Sequence, residues 1–110
     1  MTDEPVFFSL VVPAHNEEAY VGKLLTSLGE LNYPRGRMEV IVVQNGSTDR
    51  TAEVVAEAAP PWFKVETLAE PGVSRAKNRG IELVAEASEW VIFLDADTSV
   101  GPTFLRELDQ

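Results

Sequence analysis

The sequence predicts an α/β domain built on a parallel sheet flanked by helices. Two observations carry that expectation. Short apolar runs alternate with amphipathic stretches along the chain, and each run ends in a polar or glycine-bearing segment. Strands alternating with helices imply parallel pairing with right-handed crossovers. The chain has 110 residues, enough for one modest core, so residues 1–110 read as a single domain.

Phe7 to Val12 is the first strand, closed by Pro13. Asn16 is placed to cap a helix with Glu17 and Glu18 in its first turn, and Val21, Leu24, Leu25 and Leu28 recur at helical spacing. Asn32-Tyr33-Pro34-Arg35-Gly36 is loop chemistry. Val40 to Val43 is a buried strand that ends at Gln44-Asn45-Gly46-Ser47. A second helix follows, with Ser47 or Thr48 as cap and Ala52, Val55, Ala56 and Ala59 on one face; Pro60-Pro61 stops it. Phe63 to Leu68 alternates apolar and charged residues, the pattern of a half-exposed edge strand. After Pro71-Gly72, a third helix presents Ala76, Gly80, Leu83, Val84 and Ala87 on one side. Trp90 to Leu94 is wholly apolar, the pattern of a central strand, and runs into Asp95. Pro102 opens a last short helix.

Composition narrows the function. A net charge of −9 argues against a nucleic-acid partner, which requires an excess of Lys and Arg. It would also repel an anionic membrane surface. With no cysteine, disulfides and thiolate metal sites are excluded. The acidic start Met1-Thr2-Asp3-Glu4 is the wrong flank for a signal peptide, and no apolar run reaches membrane-spanning length. The expected protein is soluble and cytoplasmic.

In a parallel sheet, the segments following the strands gather at one edge, and that carboxyl edge is where open α/β sheets bind ligands. Here they are Pro13 to Asn16, Gln44 to Ser47, Pro71 to Ser74 and Asp95 to Thr98. Asp95-Ala96-Asp97 offers two hard carboxylates suited to magnesium or manganese, or, more simply, closes a turn. The Gln44–Asn45 amides could meet a nucleobase edge or merely form a strand–helix turn. Arg75, Lys77 and Arg79 fall in the first turns of a helix, where cations are unfavourable unless an anion neutralises them. Solvation, with Arg79 paired to Glu82, is the plainer account.

Val11-Val12-Pro13-Ala14-His15-Asn16-Glu17-Glu18, Val42-Val43-Gln44-Asn45-Gly46-Ser47-Thr48-Asp49, the Gly72 to Gly80 stretch and Phe93-Leu94-Asp95-Ala96-Asp97 together resemble the family 2 glycosyltransferases. The likeness runs from about Phe8 to the last residues. It implies a GT-A (Rossmann-like) fold, here ending after its fourth strand, and sugar transfer from a nucleoside diphosphate donor with inversion at the anomeric carbon. It implies that Pro13, Ala14, His15 and Glu17 line the nucleoside pocket, that Gln44 and Asn45 meet the base, and that Lys77 and Asn78 meet the nucleotide. Asp95 would serve the ribose or the metal, and Asp97 the metal, Mn2+ or Mg2+. Gln44 stands where the family usually has Asp, and Lys77 where Arg is frequent. Both departures leave the base open between uridine and guanosine.

Members of the family continue into an acceptor-binding half with a carboxylate general base. Inverting transfer needs such a group, and nothing after Asp97 is placed for it; Glu107 and Asp109 read as a solvated helix end. The chain is therefore expected to be a donor-binding portion with no catalytic residue assigned and sugar and acceptor unspecified. Its last strand would lie on an edge and invite self-association. Two other readings remain: a module that binds a nucleotide sugar without transferring it, and a haloacid-dehalogenase-like phosphatase with Asp95 as nucleophile.

Overall fold

The computed structural model describes residues 4–109. The elements run β1 (Phe8–Ala14), α1 (Val21–Gly29), a short 3-10 turn (Arg35–Arg37), β2 (Met38–Asn45), α2 (Thr51–Ala58), β3 (Lys64–Leu68), α3 (Val73–Glu82), β4 (Trp90–Phe93) and α4 (Phe104–Leu108). One four-stranded sheet has the order β3-β2-β1-β4, and every pairing is parallel.

Side chains alternate across the strands and so build two cores. Leu10, Val12, Val40 and Val42 pack with Val21, Leu24, Leu25 and Leu28 of α1, Val55 of α2 and Leu105 of α4. Val11, Ile41 and Val43 face the other way, onto Ala76 of α3. Strands covered on both faces lose the alternation of a half-exposed sheet, which is why β2 is buried at every position. The chain steps outward from β1 to β3, then α3 recrosses the opposite face and delivers β4 beside β1. The direction of winding reverses between β1 and β4, where such sheets open a ligand crevice.

Several local expectations are corrected. β1 does not stop at Pro13, which pairs with Val43. Val11 O accepts from Leu94 N at 2.9 Å, so by alternation the nitrogen of Pro13 points to the same side, where β4 has already ended. Its missing N–H therefore leaves no ladder bond unmade. Asn16 does not cap α1: it has a φ of 51°, Glu17 to Tyr20 form a turn, and the helix begins at Val21. Neither Ser47 nor Thr48 caps α2; Asp49 Oδ1 accepts from Thr51 N at 2.9 Å. The inward face of α2 is Thr51 and Val55, flanked by Val54, Ala58 and Ala59, whereas Ala52 and Ala56 are exposed. α3 ends at Glu82, which leaves Ala87 outside the helix and exposed. β3 is an edge strand as expected. β4, despite its apolar sequence, takes the other edge and exposes Trp90, Val91 and Phe93. No described helix is long and apolar enough to cross a membrane.

Candidate functional site

The ends of β1 and β2, the start of α3 and the turn after β4 enclose a cleft of about 530 Å³. Pro13, His15, Glu17, Asn45, Gly72, Val73, Asp95, Ala96 and Asp97 line it.

One buried side chain ties three walls together. Asn45 Nδ2 donates to Ala14 O at 3.1 Å, and Asn45 Oδ1 accepts from Gly72 N at 3.1 Å. Its own carbonyl lies 2.7 Å from His15 Nδ1. Beside it, Gly46 turns the chain with a φ of 55°; a Cβ there would meet Pro71 N at 2.6 Å. Gly46 N donates to Leu68 O at 2.8 Å, so the β2 turn and the β3–α3 connection are pressed backbone to backbone.

A second clasp joins the loops after β1 and β2. Thr48 N donates to Asn16 Oδ1 at 2.9 Å, and Asn16 N donates to Ser47 Oγ at 3.2 Å. Glu17 N donates to Thr51 Oγ1 at 2.8 Å. Hydrogen bonding from the Thr51 hydroxyl, followed by that of the Thr51 and Glu18 amides, holds the Asp49 carboxyl below its ordinary pKa. The αL backbone of Asn16, unfavourable for most residues, is offset by the hydrogen bonds its side chain makes to the Thr48 loop.

On the opposite wall, Thr98 N donates to Asp95 O at 2.9 Å and closes a turn over Ala96 and Asp97. Buried Ala96 anchors that turn, and the carboxylates on either side of it are exposed in the cleft. No cluster of three metal-ligating side chains occurs among the described residues. Two hard oxygen donors nevertheless fit an ion that takes its remaining ligands from substrate phosphates and water, the usual arrangement for magnesium.

Of the residues singled out from sequence, Pro13, His15, Glu17, Asn45, Asp95 and Asp97 are brought together. Ala14 is buried behind the cleft and contributes its carbonyl to Asn45. Gln44 is buried with Oε1 lacking a hydrogen-bond partner among the described residues; by strand alternation it falls on the face of Val40 and Val42, opposite Asn45. Asn78 is exposed on α3 and does not line the cleft. Lys77 lies over the Phe93 ring, its Nζ 5.4 Å from the centroid. The cations of α3 are partly matched within the protein. Arg75 pairs with Glu70, and Arg79 pairs with Glu66 at 2.9 Å and Glu82 at 3.2 Å. Gly72, Val73 and Ala96 also line the cleft. They offer backbone and small apolar surface, and although the sequence places their segments at this edge, residue type alone does not single them out.

A family model described as Glycosyl transferase family 2 matches residues 9–108. The chain belongs to glycosyltransferase family 2.

The chain is 33% identical over 101 residues to the poly(ribitol-phosphate) beta-N-acetylglucosaminyltransferase TarS of Staphylococcus aureus, a match covering 91% of this chain and 18% of that protein. It is 36% identical over 104 residues to a beta-monoglucosyldiacylglycerol synthase of a Nostoc species, covering 90% of this chain and 22% of the relative. The chain thus spans about a fifth of the length of these two relatives. Among solved structures, the mannosyltransferase PcManGT from Pyrobaculum calidifontis in complex with GDP-Man and Mn2+ superposes with a TM-score of 0.83 at 27% identity, over 97% of this chain and 32% of that one. S. aureus TarS 1–349 in complex with UDP-GlcNAc gives a TM-score of 0.79 at 30% identity, over 94% and 30%. The fold is GT-A. A single family accounts for nearly the whole chain, so the phosphatase alternative falls.

Proposed function

We propose that this chain binds the nucleoside diphosphate part of a nucleotide sugar, with a divalent cation at Asp95 and Asp97, and serves inverting transfer of the sugar to an acceptor. The observation that carries the reading is the convergence at one cleft of the β1 end, the Asn45 clasp and the two carboxylates after β4. Two acidic groups in a site for an anionic diphosphate repel it unless a cation lies between them. Structures of this fold have been solved in complex with UDP-GlcNAc and with GDP-Man and Mn2+, which supports a uridine or guanosine donor and a hard metal here.

In this reading Pro13, His15 and Glu17 contact the nucleoside, with Ala14 and Asn45 holding that wall in place. Lys77 and Asn78, on α3, are assigned to the nucleotide although neither lines the cleft, whereas Gln44, buried on the far face of the sheet, supports that wall without meeting the base. Asp95 serves the ribose or the metal, and Asp97 the metal, Mn2+ or Mg2+. A bound cation would neutralise charge on the departing diphosphate. The residues of the chain bind, orient and shield the donor. Removal of the acceptor's proton requires a base, for which no described residue is assigned, so the chain by itself is expected to bind donor without transferring sugar efficiently.

Titration calorimetry with UDP, GDP, CDP and ADP, with manganese and with chelator, tests the reading. Uridine or guanosine diphosphate should bind, and only with metal. Equal heats with and without metal for every nucleotide would defeat it. Robust product formation by this chain with an added acceptor would overturn the expectation that it lacks the base.

A further inference from the structure

The hydrogen bonds around the single histidine determine which of its ring nitrogens carries the proton. His15 Nδ1 lies 2.7 Å from the carbonyl oxygen of Asn45. A carbonyl only accepts, so Nδ1 must donate. The other nitrogen is fixed by a separate chain of contacts. Thr48 N donates to Asn16 at 2.9 Å, which identifies the receiving atom as Oδ1 and turns the amide nitrogen of Asn16 toward the ring. That Nδ2 stands 3.4 Å from His15 Nε2. An amide nitrogen only donates, so it is best met by a lone pair on Nε2. The first contact places a proton on Nδ1 and the second favours a lone pair on Nε2, so the neutral Nδ1–H tautomer satisfies both. At 3.4 Å the Asn16 contact is long, and the Nε2 lone pair remains open to a better donor.

The neighbouring amides are not equally open. Each polar atom of the Asn45 side chain already has a backbone partner, Ala14 O or Gly72 N. Gln44 is buried on the other face of the sheet. His15 is exposed and lines the cleft.

We infer that His15, held as the Nδ1–H tautomer, selects the nucleobase: its Nε2 accepts from a ring N–H, which uracil and guanine carry and cytosine and adenine lack. The Asn45 carbonyl and the Asn16 clasp are the positioning groups, since they set the tautomer without touching the base. This rests on the donor-binding reading above and assigns its base specificity to one atom. A site built to accept a hydrogen bond rejects the base that presents a second lone pair, because two acceptors then face each other without a hydrogen between them.

Two measurements test it. Nitrogen-15 NMR of the imidazole, unambiguous with one histidine in the chain, should show a protonated Nδ1 and an unprotonated Nε2 at neutral pH; the reverse pattern overturns the inference whether or not any nucleotide binds. Manganese-supported binding of UDP, GDP, CDP and ADP is then compared in the parent chain and in His15→Phe, which keeps a flat ring and loses the acceptor. The parent should favour UDP or GDP over CDP and ADP by about tenfold, the value of one good hydrogen bond, and His15→Phe should lose most of that preference. Metal-dependent binding with no preference in the parent overturns the inference while leaving the donor site standing. A preference retained in His15→Phe does the same and moves the reading to another acceptor such as Glu17. No nucleotide binding by the folded parent chain removes both.

Discussion

Asp97 and Gly80 illustrate opposite kinds of constraint on a single residue. Asp97 is exposed in the cleft on a turn held by backbone bonding, so its carboxylate can be changed without disturbing the fold. Asp97→Asn should weaken manganese-dependent nucleotide binding by more than about tenfold, since even outer-shell changes at metal sites cost that much. Its thermal melt should stay close to the parent's. A lowered melting temperature with unchanged binding would mean that Asp97 only closes the turn. Gly80 is constrained by space. A Cβ there would lie 2.4 Å from Val11 Cγ1, a fully buried β-branched side chain that cannot swing away. Helix propensity alone favours Gly80→Ala by about 1 kcal/mol. The clash opposes it with about 1–3 kcal/mol of overpacking, so the variant should be less stable by denaturant titration. The additional change Val11→Ala should recover part of that loss.

At the scale of the elements, the end of the sheet far from the cleft is secured by a buried carboxylate. Glu39 on β2 accepts from Ser9 Oγ on β1 at 2.5 Å and from Ala85 N at 2.8 Å, and pairs with Lys64 of β3 at 2.9 Å. Ser9 Oγ also reaches Ser88 Oγ at 2.6 Å, so the connection into β4 is held by the same cluster. Desolvation, the largest single influence on Glu39, raises its pKa. The bonds from Ser9, Ala85 and Lys64 together outweigh it and hold the carboxyl below its ordinary value of 4.5. A depressed folded-state pKa means the unfolded chain binds the proton more readily. The Glu39 contribution is therefore complete above about pH 4.5 and is lost as pH falls through the lower folded value. Glu39→Gln should cost about 2 kcal/mol at neutral pH, toward the low end for a buried pair because Lys64 is half-exposed. It should also flatten the acid limb of the stability profile. Equal acid sensitivity in parent and variant would show that other carboxylates control that limb.

Across the whole molecule, two tendencies compete at the outer side of β4. Trp90, Val91 and Phe93 are exposed there, and no further strand among the described residues pairs with that edge. Apolar edge strands promote strand addition, whereas a net charge of −9 repels a second copy. Salt screens the repulsion and leaves the apolar contact intact, so light scattering should detect more association at high ionic strength. Val91→Lys should suppress it, because an edge lysine cannot be buried against another chain without loss of hydration. Association that instead weakens with salt would assign it to charged contacts elsewhere.

What could be read without coordinates was whatever has a local physical signature. Alternating apolar runs and helical spacing set the order of elements, and parallel topology then places every post-strand segment at one edge. That is why Pro13, His15, Asn45, Asp95 and Asp97 could be named in advance as neighbours, whereas Glu17 is named only through the family resemblance. Contacts between elements distant in the chain could not be read in this way. Asn16 is a good helix cap by residue type, but the Thr48 amide claims its side chain from another loop. Glu39 looks like an ordinary charged residue until Ser9, Lys64 and Ala85 surround it. Gln44 and Asn45 are adjacent amides of equal promise in the sequence, yet strand alternation sends one beneath the sheet and makes the other the hinge of the cleft. Hydrophobic periodicity is a property of a single segment and survives in one dimension. The partner of a polar group is chosen by packing, and only the tertiary structure decides it.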